Sequence, residues 1–120
     1  MSISNYAENK LLDAISGTAF SVSAAYLQLH TGDPGEDGTA NAAGETTRKA
    51  VSFGSASGGS MVSSGTVEWT NVSTSETYSH WSMWDASSSG NALWSGALAS
   101  SAAVTAGDTF QITSLTLTLD

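Results

Sequence analysis

The chain contains no cysteine and only three basic residues among its 120. Without cysteine it can form no disulfide, no thiol nucleophile and no cysteine-bound zinc site. A nucleic-acid-binding protein needs several cations on one face to displace the counterions of the phosphates, and binding to an anionic membrane surface makes the same demand. With a formal net charge of -8, the composition therefore excludes both nucleic acid and anionic membranes as partners.

Long hydrophobic runs are also missing. The first residues, MSISNYAENKLLDAISG, are polar where a secretory signal needs a basic start and an unbroken apolar core. We therefore predict no signal peptide and no membrane span. The hydrophobic content of 40% is enough for one packed core, and no internal repeat is visible. These features predict a single domain over residues 1–120.

Residues 5–15 have the pattern of one short helix. Ser4 or Asn5 can cap its first turn, and Gly17 allows the chain to turn away at its end. The apolar side chains form a narrow stripe with a spacing of four residues: Ala7, Leu11 and Ile15, with Leu12 beside them. We predict that residues 1–17 are a helical docking segment, and that the stripe contacts either the domain's own sheet or a neighbouring subunit.

From residue 18 onwards, short apolar alternations separated by glycine-rich and serine-rich turns predict a β structure. The predicted strands are AYLQLH, RKAVSF, GTVEWT, ETYSHWSMWD, NALWSGAL, AAVT and DTFQITSLTLTLD, with a break between the fifth and sixth at Ala99–Ser101. In the last run the apolar phase slips by one residue near Thr113 and Ser114, which predicts a β-bulge or a switch between sheets. The fold class is mainly β: a two-layer antiparallel sandwich, jelly-roll-like, with one short N-terminal helix.

Residues 31–47 form a long acidic loop inside the predicted sandwich of residues 18–120. Its exposed acids are contact candidates: Asp33, Glu36 and Asp37. The segment fails as a calcium loop because Gly35 stands where an oxygen ligand is required, and no lysine follows its glycines as a phosphate loop requires. We predict a type II turn at Pro34 and Gly35, no metal site, and a contact arm that reaches a neighbouring subunit or faces solvent.

The aromatic residues allow two interpretations. Trp81, Trp84 and Trp94 either fill the core and the seams between subunits or form a carbohydrate-binding face. No G-x-S-x-G motif is present, and no carboxylate pair can be placed across a sugar from the sequence alone. We therefore predict no catalytic residue, no cofactor and no enzymatic activity.

Four stretches together resemble a known family. They are YLQLHTGDPGEDGTAN, RKAVSFGSASGG, HWSMWDASSSGNALWSGAL and VTAGDTFQITSLTLTLD. The chain resembles a small tailed-phage virion protein family whose members are described as head decoration, cement or tail fibre-like proteins. The resemblance implies a jelly-roll-like domain that assembles on the virion as a homotrimer.

The leading hypothesis is a capsid decoration or cement protein, made in the host cytoplasm, that binds the major capsid protein on the outer capsid surface. The alternative is a tail fibre or tail-tip module that binds a host surface glycan through exposed tryptophans. A small glycan-active enzyme is the third interpretation.

Overall fold

The computed structural model describes residues 2–119. One helix and nine strands follow each other along the chain. In order, they are β1 (Ser2–Ile3), α1 (Asn5–Ile15), β2 (Ala25–His30), β3 (Lys49–Phe53), β4 (Ser60–Ser64), β5 (Val67–Trp69), β6 (Glu76–Trp84), β7 (Ala92–Val104), β8 (Phe110–Ile112) and β9 (Thr116–Thr118). No helix in the described part of the chain is long and apolar enough to cross a membrane.

Helix α1 begins and ends as its sequence predicts. The Ser4 hydroxyl oxygen accepts a hydrogen bond from the Ala7 amide at 3.1 Å, which satisfies one of the free N–H groups of the first turn. The same hydroxyl donates to the Ala92 carbonyl, and the Ser4 amide donates to the Leu93 carbonyl at 3.0 Å. Gly17 follows the helix with a φ of 105°, in the left-handed region that glycine adopts without strain. The cap therefore also fixes the start of α1 to β7.

Seven strands form one antiparallel sheet in the order β1-β7-β6-β2-β3-β4-β9, and β5 pairs with β8 in a second, two-stranded sheet. The long sheet curls into a half-barrel. This architecture confirms the predicted mainly β class with one N-terminal helix and is consistent with a β sandwich. The predicted slip near Thr113 and Ser114 is a switch between sheets, because Ile112 pairs with Val67 whereas Leu117 pairs with Met61.

The two sheets meet at an aromatic cluster. The Phe110 ring on β8 lies 5.1 Å from the Tyr78 ring on β6 and 5.9 Å from the Trp69 ring on β5, measured between centroids. Tyr78 and Trp69 are fully buried, and Trp81 is buried close by on β6. Edge-on and tilted ring pairs at these distances are favourable beyond the area they bury. This cluster is the core that joins the layers.

Strand β7 corrects the predicted break at Ala99–Ser101. The structure has one continuous strand there, Ala92–Val104, instead of two. Its pairing with β6 shifts in that stretch, because His80 pairs with Ala97 while Tyr78 pairs with Ala102. The small polar residues thus form a bulge and not a turn. Strands β1 and β4 were not predicted, since one is two residues long and the other is rich in serine.

Candidate functional site

Helix α1 packs on the protein's own sheet only as far as Leu11. Ala7 is buried and Leu11 is half-buried, and both line a cavity beside β7. Leu12, the next residue, is 64% exposed, and Ile15, one turn beyond Leu11, is 86% exposed. We call Leu12 and Ile15 the helix tip. The predicted docking on the domain's own sheet thus describes Ala7 and Leu11, while the helix tip has no cover within residues 2–119.

Three adjoining cavities run along the inner face of the half-barrel, with volumes of about 420, 200 and 140 Å³. We call this continuous surface the apolar trough. Its floor is made by buried side chains of Met83, Leu93 and Leu117, and its rim by the more exposed Val22 and Leu119. No charged residue of the described chain lines it. A large uncharged concave surface of this kind is typical of a binding face.

None of the four tryptophans is among the exposed residues of the protein. Trp69, Trp81 and Trp84 are buried, and Trp94 is half-buried along the trough. Within the described residues, the Trp94 Nε1 has no hydrogen-bond partner. Trp69 and Trp81 belong to the core, and Trp94 forms part of the trough wall. Trp84 lies against the guanidinium of Arg48 and borders the pocket beside the acidic loop. Host glycan binding stays a prediction.

A buried chain of hydrogen bonds anchors the middle of the acidic loop, at Ala40, to the sheet. His30 Nδ1 lies 2.9 Å from the Ala40 carbonyl, which can only accept, so this nitrogen carries the proton. His30 Nε2 then accepts from the Ser82 hydroxyl at 2.7 Å, and the same oxygen accepts from Trp84 Nε1 at 2.7 Å. A fully buried neutral His30 thus connects the loop to β6.

His30 should make stability depend on pH. Burial lowers the pKa of His30, hydrogen bonds to the backbone of Ala40 and Asn41 oppose this shift, and the neighbouring His80 and Arg48 add to it. As pH falls below about 6.5, the unfolded chain binds a proton that the folded chain does not. We expect the free energy of unfolding to be constant from pH 8 to 6.5 and to decrease from there to pH 5.

The measurement is urea unfolding at half-unit pH steps. A His30→Asn variant should lose the decrease between pH 6.5 and 5, whereas His80→Asn should keep it. An unchanged slope in the His30 variant would contradict the assignment.

Two carboxylates fix the C-terminal end of the loop. Glu76 on β6 accepts from the amides of Gly44 at 2.8 Å and Glu45 at 3.1 Å. The buried Glu45 accepts in turn from the amides of Ser73 at 3.1 Å and Thr47 at 3.3 Å. Hydrogen bonds to a charged acceptor are stronger than neutral ones. These carboxylates also lie near Tyr78, whose pKa is raised to about 12 by burial and then by the charges of Glu76 and Glu45.

Replacing Glu76 by glutamine should lower the free energy of unfolding by about 1–2 kcal/mol, because the amide can accept from one N–H but presents its own N–H₂ to the other. Chemical denaturation measures the loss, and faster hydrogen exchange at Gly44 and Glu45 locates it. Glu68→Gln is the matched control, since Glu68 is exposed on β5. Equal losses in the two variants would contradict the anchoring role.

The predicted contact acids lie on the outer turn of the loop. Asp33, Glu36 and Asp37 are exposed. Asp33 Oδ1 accepts from the Gly35 amide at 2.9 Å, and Gly35 has the φ of 75° that the predicted turn requires. Asp37 Oδ1 accepts from the hydroxyl and amide of Thr39, which lowers the pKa of Asp37. Within residues 2–119, no three metal-ligating side chains converge.

Two of these acids border a shallow pocket of about 590 Å³ between the loop, the start of α1 and the β6–β7 turn. Glu36 and Asp37 line it together with Tyr6, Asn91 and the edge of Trp84. The loop is therefore folded against the body of the protein, with its carboxylates facing outwards. Contact with another subunit stays a prediction for these residues.

A family model described as "Podophage GP4 fiber I protein gp80" matches residues 2–120. The chain belongs to this gp80 family. A comparison with curated proteins found no match. Membership in the gp80 family supports the predicted tailed-phage virion protein and its structural, fibre-type role. Capsid decoration, a homotrimer and the outer capsid surface as its location stay predictions.

The residues that hold the loops of this gp80-family chain in place were not among the predicted site residues. They are His30, Arg48, Glu45, Glu76 and Ser82. Their partners lie far along the chain, as with His30 and Ser82, which are 52 residues apart. From the sequence, only the positive charge of Arg48 and the negative charges of the acids around it could be recognised. Charge alone does not show which backbone carbonyl a side chain will contact.

Proposed function

We propose that the chain is a non-enzymatic building block of a virion fibre, attached through its apolar surfaces, with the acidic loop turned towards solvent. The observation that carries this proposal is the match of the gp80 fibre model along residues 2–120. The structure supports it by separating two kinds of surface: an uncharged trough with the exposed helix tip, and an outer loop that bears Asp33, Glu36 and Asp37. The role of such a building block is to bind neighbouring proteins of the fibre through these surfaces.

Capsid decoration, with the major capsid protein as partner, is the second candidate. It is favoured by the shape of the described chain, a block of 47 × 25 × 23 Å. A block that bridges neighbouring shell subunits stabilises the assembled shell by mass action. Under this proposal the helix tip is the natural contact with the shell.

Electron microscopy of particles that carry a labelled chain tests the two candidates. Label confined to fibres, with a few copies per particle by quantitative mass spectrometry, is the result expected for the fibre block. Label over the whole shell, in a fixed ratio to the major capsid protein, would overturn it and establish decoration. Label absent from purified particles would contradict both.

A further inference from the structure

We propose that the chain associates with itself head to tail, the helix tip of one copy sitting in the apolar trough of the next. This inference goes beyond the proposed function, because it concerns contacts between copies wherever on the particle they lie. Three observations carry it: an apolar tip without cover, an uncharged trough of fitting size, and the distribution of charge along the chain.

The helix tip extends the stripe that already packs inside the protein. Ala7 is buried, Leu11 is half-buried and Ile15 is 86% exposed. The same face of α1 therefore contacts the sheet near the start of the helix and is exposed to solvent at its end. Leu12, beside Ile15, is 64% exposed. Two adjacent aliphatic side chains that project from a helix end gain free energy when a partner removes them from water.

The trough offers an apolar surface that the helix tip of the same copy does not reach. Leu11 lines its middle cavity, but neither Leu12 nor Ile15 lines any part of it. The cavities of about 200 and 140 Å³ adjoin at Met61, Trp94 and Leu119. Methionine adapts its shape to an incoming side chain, and the half-buried Trp94 ring provides a flat apolar wall.

Charge points to a second copy as the occupant. Residues 14–32, 50–67, 86–107 and 109–119 contain no Asp, Glu, Lys or Arg, and these segments supply most of the trough. Copies of a chain with a net charge of -8 repel each other, and the repulsion is weakest where two surfaces without charged residues meet. A strongly basic or acidic partner would find no charge to pair with along the trough. The trough therefore complements an apolar surface, and Leu12 and Ile15 supply one on the same chain, with Asp13 as the charged residue beside them.

The geometry of this contact determines the kind of assembly. The tip and the trough are different surfaces, so the interface is heterologous, and each copy keeps one tip and one trough. Such contacts close into a ring when the rotation between copies allows it and continue as a filament when it does not. A ring of three would be the predicted homotrimer.

The first test is the mass of the purified full chain, measured by sedimentation and light scattering at about 100 µM, a concentration at which contacts of micromolar affinity are occupied. We expect an oligomer for the natural sequence and monomers for Leu12→Asp/Ile15→Asp and for Leu119→Asp. Val22→Asp is a second trough variant in case Leu119→Asp does not fold. Val62→Asp is the matched control, because Val62 is also 48% exposed but lines none of the trough cavities.

The decisive test mixes the tip variant with a trough variant. The trough variant has an intact tip and the tip variant has an intact trough, so the mixture should form a one-to-one heterodimer although each variant alone is a monomer. The proposal is overturned by a monomeric natural chain, by a tip variant that stays oligomeric, by dissociation of Val62→Asp, or by a mixture that stays monomeric. None of these outcomes depends on where the chain lies on the particle.

Discussion

A chain with alanine in place of Gly96 should lose about 3 kcal/mol of its free energy of unfolding, at the upper end of what overpacking costs. A Cβ at position 96 would lie 2.7 Å from Cζ2 and 3.0 Å from Cε2 of Trp81. Carbon atoms at rest are about 3.5–4.0 Å apart. Trp81 is only 2% exposed, so its ring is enclosed and cannot move away without displacing other core residues.

Gly54→Ala is the control for this change. Its Cβ would meet nothing closer than the Val62 carbonyl oxygen at 3.9 Å, so we expect no loss of stability. A small gain in stability would also fit, because alanine gives the unfolded chain fewer conformations than glycine does. A double variant, Gly96→Ala with Trp81→Phe, should lose less than the two single losses added together, because the smaller ring leaves space for the methyl group. If the free-energy losses of the two single variants, measured by urea unfolding, add exactly in the double variant, the contact between position 96 and the Trp81 ring is not the cause of the loss.

Arg48→Ala should also lower the free energy of unfolding by about 3 kcal/mol, from lost charge-assisted hydrogen bonds and a lost cation–π contact. Arg48 Nη1 donates to the carbonyls of Ala86 at 2.9 Å and Ser89 at 2.7 Å, and Nε donates to Gln28 Oε1 at 3.1 Å. The guanidinium carbon lies 4.0 Å from the centroid of the Trp84 ring. One side chain thus connects β3 to β2 and to the β6–β7 turn.

Two further variants separate shape from charge at this position. Arg48→Lys keeps the positive charge but loses the planar, multiply donating group, so it should recover less than half of the loss. Lys49→Ala removes an equal charge one residue further along and should cost less than about 0.5 kcal/mol. If Arg48→Lys were as stable as the natural chain in thermal and urea unfolding, the hydrogen-bond geometry would not matter.

Local signals in the sequence predicted the elements that depend on local physics. Helix α1 needs only a cap at Ser4, a stripe with a spacing of four and Gly17 at its end, all within 14 residues. The switch between sheets after Ile112 was visible because a shift of one residue reverses which side chains are apolar. The bulge near Ala99–Ser101 was mistaken for a break, because small polar residues suit either conformation.

The contacts that position the candidate surfaces depend on distant partners. Glu76 accepts from amides 31 and 32 residues earlier in the chain, and Arg48 donates to carbonyls 38 and 41 residues later. Backbone groups have the same chemistry at every residue, so no sequence pattern marks which of them a side chain will meet. The orientation of the tryptophans was equally open, since β6 carries aromatic residues on both faces.

The double anchoring of the acidic loop has a consequence for how the protein can vary. The turn around Glu36 lies between His30, the last residue of β2, and Ala40, whose carbonyl accepts from the His30 ring, and Glu76 fixes the loop beyond it through Gly44 and Glu45. Glu36 itself is exposed. Exposed turns with fixed ends tolerate insertion and exchange best. Natural relatives can therefore diversify the turn around Glu36 without loss of the sheet, and the same turn is a place to display a foreign peptide on the particle.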